Sequence, residues 1–96
     1  MEIEEIMHNL CVDEGVFNPD SGTMALAAAA CDYKGTFLEI GTGTGLITIK
    51  LFTNGKSGDC TEISKKAINC ARKNFDRFAV SSKIIESNLY ENVKQK

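Results

Sequence analysis

Ninety-six residues at 10.5 kDa make one compact domain and not two. With 43% hydrophobic and 25% charged residues the chain has an ordinary globular composition, which sets aside disordered and fibrous classes. The net charge of −2 conceals an asymmetry: residues 1–33 hold seven of the 13 acids and no Lys or Arg, so residues 34–96 carry all 11 basic groups, which fits either an anionic partner for the basic half or an acidic arm folded over it.

In chain order, the pattern predicts a short helix from Glu2 to Leu10 and a turn-like Val12 to Phe17. Asn18-Pro19-Asp20-Ser21-Gly22 sets a proline and capping side chains ahead of an alanine-rich run, which predicts a helix over Thr23 to Cys31 that Lys34-Gly35 breaks. Thr36 to Ile40 reads as a strand apolar on both faces, suited to the inside of a sheet. A glycine-rich turn leads into a helix over Gly45 to Thr53, with Asn54-Gly55 in place of a C-cap. Gly58 to Ile63 is the second strand. Ser64 then caps a helix in which Ala67, Ile68, Ala71, Phe75 and Phe78 recur at helical spacing while Lys65, Lys66, Arg72, Lys73 and Arg77 form a basic outer face. Lys83 to Glu86 is a third short strand. Alternating strands and helices imply a parallel sheet with right-handed crossovers. The expected fold class is therefore α/β, a partial Rossmann-like βαβαβ sheet of about three strands. One domain spans 1–96, an N-terminal helical arm (1–33) followed by the βαβαβ unit (34–96).

Three absences bound the chemistry. Cys11, Cys31, Cys60 and Cys70 form no C-x-x-C pair, so neither a zinc site nor a redox motif is expected and the cysteines read as reduced packing residues. His8 has no partner with which to bind a metal. The longest apolar stretch, Met24 to Cys31, is far short of the roughly 20 residues needed to cross a bilayer, and the acidic N-terminus is unlike a signal peptide, so the expected location is cytoplasmic, with no membrane partner.

The chemistry concentrates in Leu38-Glu39-Ile40-Gly41-Thr42-Gly43-Thr44-Gly45, with glycine at every second position between a strand and a helix. Missing Cβ atoms let a ligand approach the backbone, although a tight turn alone would also use such residues. The dinucleotide fingerprint G-x-G-x-x-G would need glycine where Leu46 stands, which disfavours a nicotinamide-binding domain. Glu62, ending the second strand, can accept both hydroxyls of a ribose lying over the first strand, or can be a solvated strand end.

These residues resemble the class I S-adenosylmethionine-dependent methyltransferases, and the resemblance covers nearly the whole chain. It implies that Glu39 helps hold the methionine amino group and that Glu62 holds the ribose. Asn88 and Leu89 would read the adenine, Asn88 standing where the family usually has Asp. The implied cofactor-binding set is Glu39, Gly41, Thr42, Gly43, Gly45, Glu62, Ile63, Asn88 and Leu89, with S-adenosylmethionine as cofactor and no metal. Gly15 to Thr23 looks like the corresponding segment of members that methylate nitrogens of RNA bases or protein glutamines. Their Asn-Pro-Pro-Tyr-like catalytic motif, at the end of a fourth strand, has no counterpart before Lys96, so no catalytic residue is nominated.

The expected function is S-adenosylmethionine binding as part of a methyltransferase acting on RNA or protein nitrogen, its catalytic second half absent from this chain. The alternative is a non-catalytic module that binds a nucleoside cofactor or acts by protein association. The first strand would be left as an open edge, so a homodimer, or a second chain supplying later strands, is the expected assembly.

Overall fold

The computed structural model describes residues 1–87. They form α1 (Ile3–His8), α2 (Ser21–Ala30), β1 (Phe37–Ile40), α3 (Leu46–Thr53), β2 (Gly58–Glu62), α4 (Lys65–Arg77) and β3 (Ile84–Glu86). Every element expected within these residues is present, with ends displaced by one or two positions. The displacements have local causes. The Asp20 carboxylate accepts from the Thr23 amide at 2.9 Å, which makes Asp20 the N-cap and starts α2 at Ser21 rather than Thr23. At the end of α3, Gly55 adopts φ +84° while the amides of Gly55 and Lys56 donate to the carbonyls of Phe52 and Leu51, closing the helix in a Schellman motif. The Ser64 hydroxyl accepts from the Ala67 amide at 3.3 Å and starts α4 as expected. The same helix ends in a second Schellman motif whose left-handed residue is Ala79, at φ +55°, with Val80 donating to Phe75 at 2.8 Å.

The strands form a parallel sheet in the order β1-β2-β3, Glu39 opposite Cys60 and Cys60 opposite Ile84. Since strand side chains alternate, Glu39, Cys60 and Ile84 share one face and Leu38, Ile40, Thr61 and Ile85 share the other. The first face carries the core, where Cys60 meets Leu46 and Ile49 of α3, Phe75 of α4 and Ile6 of α1, with Ile84 packed against them. The helices that follow β1 and β2 therefore lie on the same side, as right-handed crossovers require. On the opposite face Leu38 is 37% exposed. Among the described residues β1 pairs on one side only.

The arm folds over the basic half, largely through backbone oxygens. Arg77 donates to the Asn9 carbonyl at 3.0 Å, Lys50 to that of Met1 at 2.7 Å, and Lys56 to that of Tyr33. Lys73 and Asp13 add an ion pair at 2.8 Å. All four cysteines are free, Cys60 and Cys70 buried and Cys11 and Cys31 only partly so. Among the described residues, no helix is long and apolar enough to cross a membrane.

Candidate functional site

Parallel strands bring their C-terminal ends to one edge of the sheet, where open α/β folds place their ligands. The turns after β1 and β2 meet the arm segment 15–19 there and enclose a cavity of about 380 Å³. Its floor is the glycine-rich turn, in which Gly41, Gly43 and Gly45 all have positive φ, at 73°, 57° and 89°. The three glycines serve different ends. A Cβ on Gly41 or Gly43 would point into open space, so their bare backbone faces the cavity. A Cβ on Gly45 would lie 2.6 Å from Cε1 of Phe75, so that glycine lets the start of α3 pack against α4.

Two carboxylates flank the turn. Oε1 of Glu39 accepts from the hydroxyls of Thr42 at 2.8 Å and Thr48 at 2.7 Å. Burial pushes the Glu39 carboxyl from 4.5 up to about 7; the two hydroxyls and the Thr48 amide hold it back, and the neighbouring Glu62 adds to the rise. Thr48 is the third residue of α3, so the helix N-terminus that would face a pyrophosphate in a dinucleotide site is already met by the protein's own carboxylate. Glu62, 9% exposed, accepts from the Gly43 amide through Oε1 at 2.9 Å and from the amides of Ile63 and Ser64 through Oε2, both at 3.0 Å. Its orientation is fixed by backbone, and with up to four acceptor positions it keeps capacity for a further donor.

Of the residues expected from sequence, Glu39, Gly41, Thr42, Gly43 and Glu62 line the one cavity together. Gly45 lies beneath it, against Phe75. Ile63 stands 61% exposed beyond the cavity lining, and it is the Ile63 amide that meets Glu62. Asn88 and Leu89 lie outside the described residues. Sequence reasoning left the arm's contribution unassigned: Val16, Phe17, Pro19 and Thr23 form part of the wall. Their signal was available in the likeness of Gly15 to Thr23 to a known segment, whereas the 68% exposure of Phe17 is visible only in the fold. The described lining holds two carboxylates and no Lys, Arg or His.

This arrangement suits a ligand with hydroxyl and ammonium donors and no phosphate. The structure is similar to that of the ribosomal protein L11 methylase from Lactobacillus delbrueckii subsp. bulgaricus, with a TM-score of 0.71 at 22% identity over 86% of this chain and 46% of that one. It is also similar to precorrin-6y C5,15-methyltransferase from Geobacter metallireducens GS-15, with a TM-score of 0.62 at 13% identity over 83% of this chain and 45% of the other. The chain thus spans about half the length of these neighbours, and at such identities the likeness is one of fold: the α/β sheet is a partial Rossmann-like methyltransferase fold. The family model of the methyltransferase small domain matches residues 8–96, nearly the whole chain, and the protein belongs to that family.

Proposed function

We propose that the chain binds S-adenosylmethionine and is the cofactor-holding part of a methyltransferase. The observation that carries this reading is the charge of the cavity, two carboxylates and no basic side chain among the described lining residues. Such a site attracts a cationic sulfonium bearing an ammonium group and repels the pyrophosphate of a dinucleotide. In this reading Glu62 takes the ribose hydroxyls, Glu39 the ammonium group, and the bare backbone of Gly41 and Gly43 lets the ligand lie close to the turn. When bound, the cofactor supplies an activated methyl group; the protein's residues orient it and shield it from water. Calorimetric titration with S-adenosylmethionine, S-adenosylhomocysteine and NAD tests the assignment. The first two should bind and NAD should not; binding of NAD alone would overturn it.

The acceptor is proposed to be a nitrogen of RNA or protein. The likeness of Gly15 to Thr23 to that subgroup supports this, as does a fold neighbour that is a ribosomal protein methylase. Once strands that complete the sheet are supplied, transfer of labelled methyl groups into separated RNA and protein fractions reads the acceptor, and label in neither fraction then refutes the class. The open side of β1 and the exposed Leu38 favour completion of the sheet by strands of a second copy or a separate chain. Sedimentation equilibrium at micromolar concentration reads this, and a monomer that unfolds cooperatively would contradict it.

A further inference from the structure

Asn74 is a polar side chain buried where α4 meets the arm and the glycine-rich turn. It is 0% exposed, on the face of α4 otherwise given to Ala67, Ala71 and Phe75. Burying an amide there is tolerable only if its bonds are made, and the partners it has found are informative. Oδ1 accepts from the Cys11 amide at 2.7 Å, and Nδ2 donates both to the Cys11 carbonyl and to the Thr44 carbonyl at 2.8 Å. One side chain therefore grips both backbone polar groups of a single residue in the arm and, at the same time, the glycine-rich turn between Gly43 and Gly45. These segments are 63 and 30 positions away in sequence. Four residues beyond Cys11 the arm becomes the cavity wall at Gly15, Val16 and Phe17. The Lys73–Asp13 ion pair, one residue along α4, holds the same stretch from the outside.

We propose that Asn74 is the positioning residue of this cleft: by joining the arm at Cys11 to the turn at Thr44 it fixes the wall carried by residues 15–17 over the floor carried by residues 41–43. It touches no ligand and acts through the arm. The proposal rests, for its effect on affinity, on the reading of the cavity as an S-adenosylmethionine site; its effect on the arm is independent of that reading.

The decisive experiment uses the full chain and two readouts. In the absence of ligand, hydrogen exchange should show the Cys11 amide of the wild type protected to the same degree as amides within α4. Fast exchange at Cys11 beside a protected α4 would overturn the proposal without any variant being needed. In Asn74→Ala the protection of Cys11, Asp13 and Val16 should fall at least tenfold while amides of α3 and β2 keep theirs. Affinity for S-adenosylhomocysteine is then followed in a double-mutant cycle with Phe17→Ala, an exposed position whose replacement leaves the core intact. Phe17→Ala should weaken binding about 3- to 10-fold in the wild type, the range of one aromatic contact, and by less than twofold once Asn74 is alanine. Equal effects of Phe17→Ala in both backgrounds would show that Asn74 merely supports the fold and would refute the proposal. If the wild type binds no S-adenosylhomocysteine, the functional reading falls and the exchange data alone decide the role of Asn74.

Discussion

Glu39 gives the sharpest quantitative test of the site. Its carboxyl is held at about 7 in the folded chain by burial, against 4.5 for the free group. Between those values the native state retains a proton that the unfolded state has released, so the native state binds more protons and stability must fall as pH rises. The loss begins near 4.5, is complete above about 7, and amounts to about 3 kcal/mol at 1.36 kcal/mol per unit of difference. That is a large fraction of the stability of a domain this size. Glu39→Gln keeps an acceptor for the hydroxyls of Thr42 and Thr48 but cannot ionise. Urea denaturation across pH 4.5 to 8.5 should therefore show the wild type losing stability through this window and the variant nearly flat, with the variant the more stable by about 2–3 kcal/mol at the alkaline end. Parallel profiles for the two proteins would refute the reasoning, because they would mean that Glu39 does not titrate between its free value and 7. A companion measurement ties the same proton to the ligand. An ammonium group placed against Glu39 favours the carboxylate, so binding of S-adenosylhomocysteine near pH 7 should release a proton and tighten as pH rises toward 7. Calorimetry in buffers of different ionisation enthalpy reads that proton.

Three further outcomes follow from the geometry. Glu62→Ala should weaken S-adenosylhomocysteine binding roughly 10- to 100-fold by removing charge-assisted bonds, and an unchanged dissociation constant would rule Glu62 out as the ribose acceptor. Gly45→Ala should destabilise the fold by about 2–4 kcal/mol in denaturant titration, since the new Cβ meets Phe75 at 2.6 Å on a backbone at φ +89°. In the opposite sense, Ala79→Gly should raise stability by about 0.5–1 kcal/mol, because relief of the left-handed conformation at φ +55° outweighs the greater freedom of glycine in the unfolded chain; a lowered melting temperature would contradict this.

The parts of this molecule that sequence could announce are those governed by local rules. The apolar strand before the glycine turn, the Ser64 cap, the helical spacing from Ala67 to Phe78 and the Asn54-Gly55 stop each depend on a few neighbouring residues, and each lies where expected to within one or two positions. The three glycines were legible as a set but not as individuals, since only the neighbour 30 positions away, Phe75, separates the packing role of Gly45 from the open space at Gly41 and Gly43. The charge asymmetry left open an anionic partner or an arm over the basic half, and could not tell that carbonyl oxygens of the arm would make most of the contacts. Glu39 could be named from a motif, but its raised pKa comes from burial, held back by the hydroxyls of Thr42 and Thr48, and that setting exists only in the folded chain. Asn74 left one readable trace, an amide in phase with the apolar stripe of α4 at seven residues from Ala67 and three from Ala71. Its partners are distant in sequence, so periodicity alone offered no way to find them.

The likeness to the methyltransferase small domain begins at residue 8, yet Ile6 is 0% exposed at the heart of the core cluster, with Ile3 and Met7 packed against it. The recognisable domain and the physical one therefore have different limits. A chain trimmed to residues 8–96 would keep every recognisable motif and still lose the side chain that joins α3, α4 and β2 over their common centre. Removing a buried isoleucine costs about 2–5 kcal/mol, a sizeable share of the roughly 5–15 kcal/mol that holds a domain folded. For anyone cutting relatives of this protein out of longer chains by their resemblance alone, the seven residues ahead of the match decide whether the piece is a folded protein or a soluble fragment.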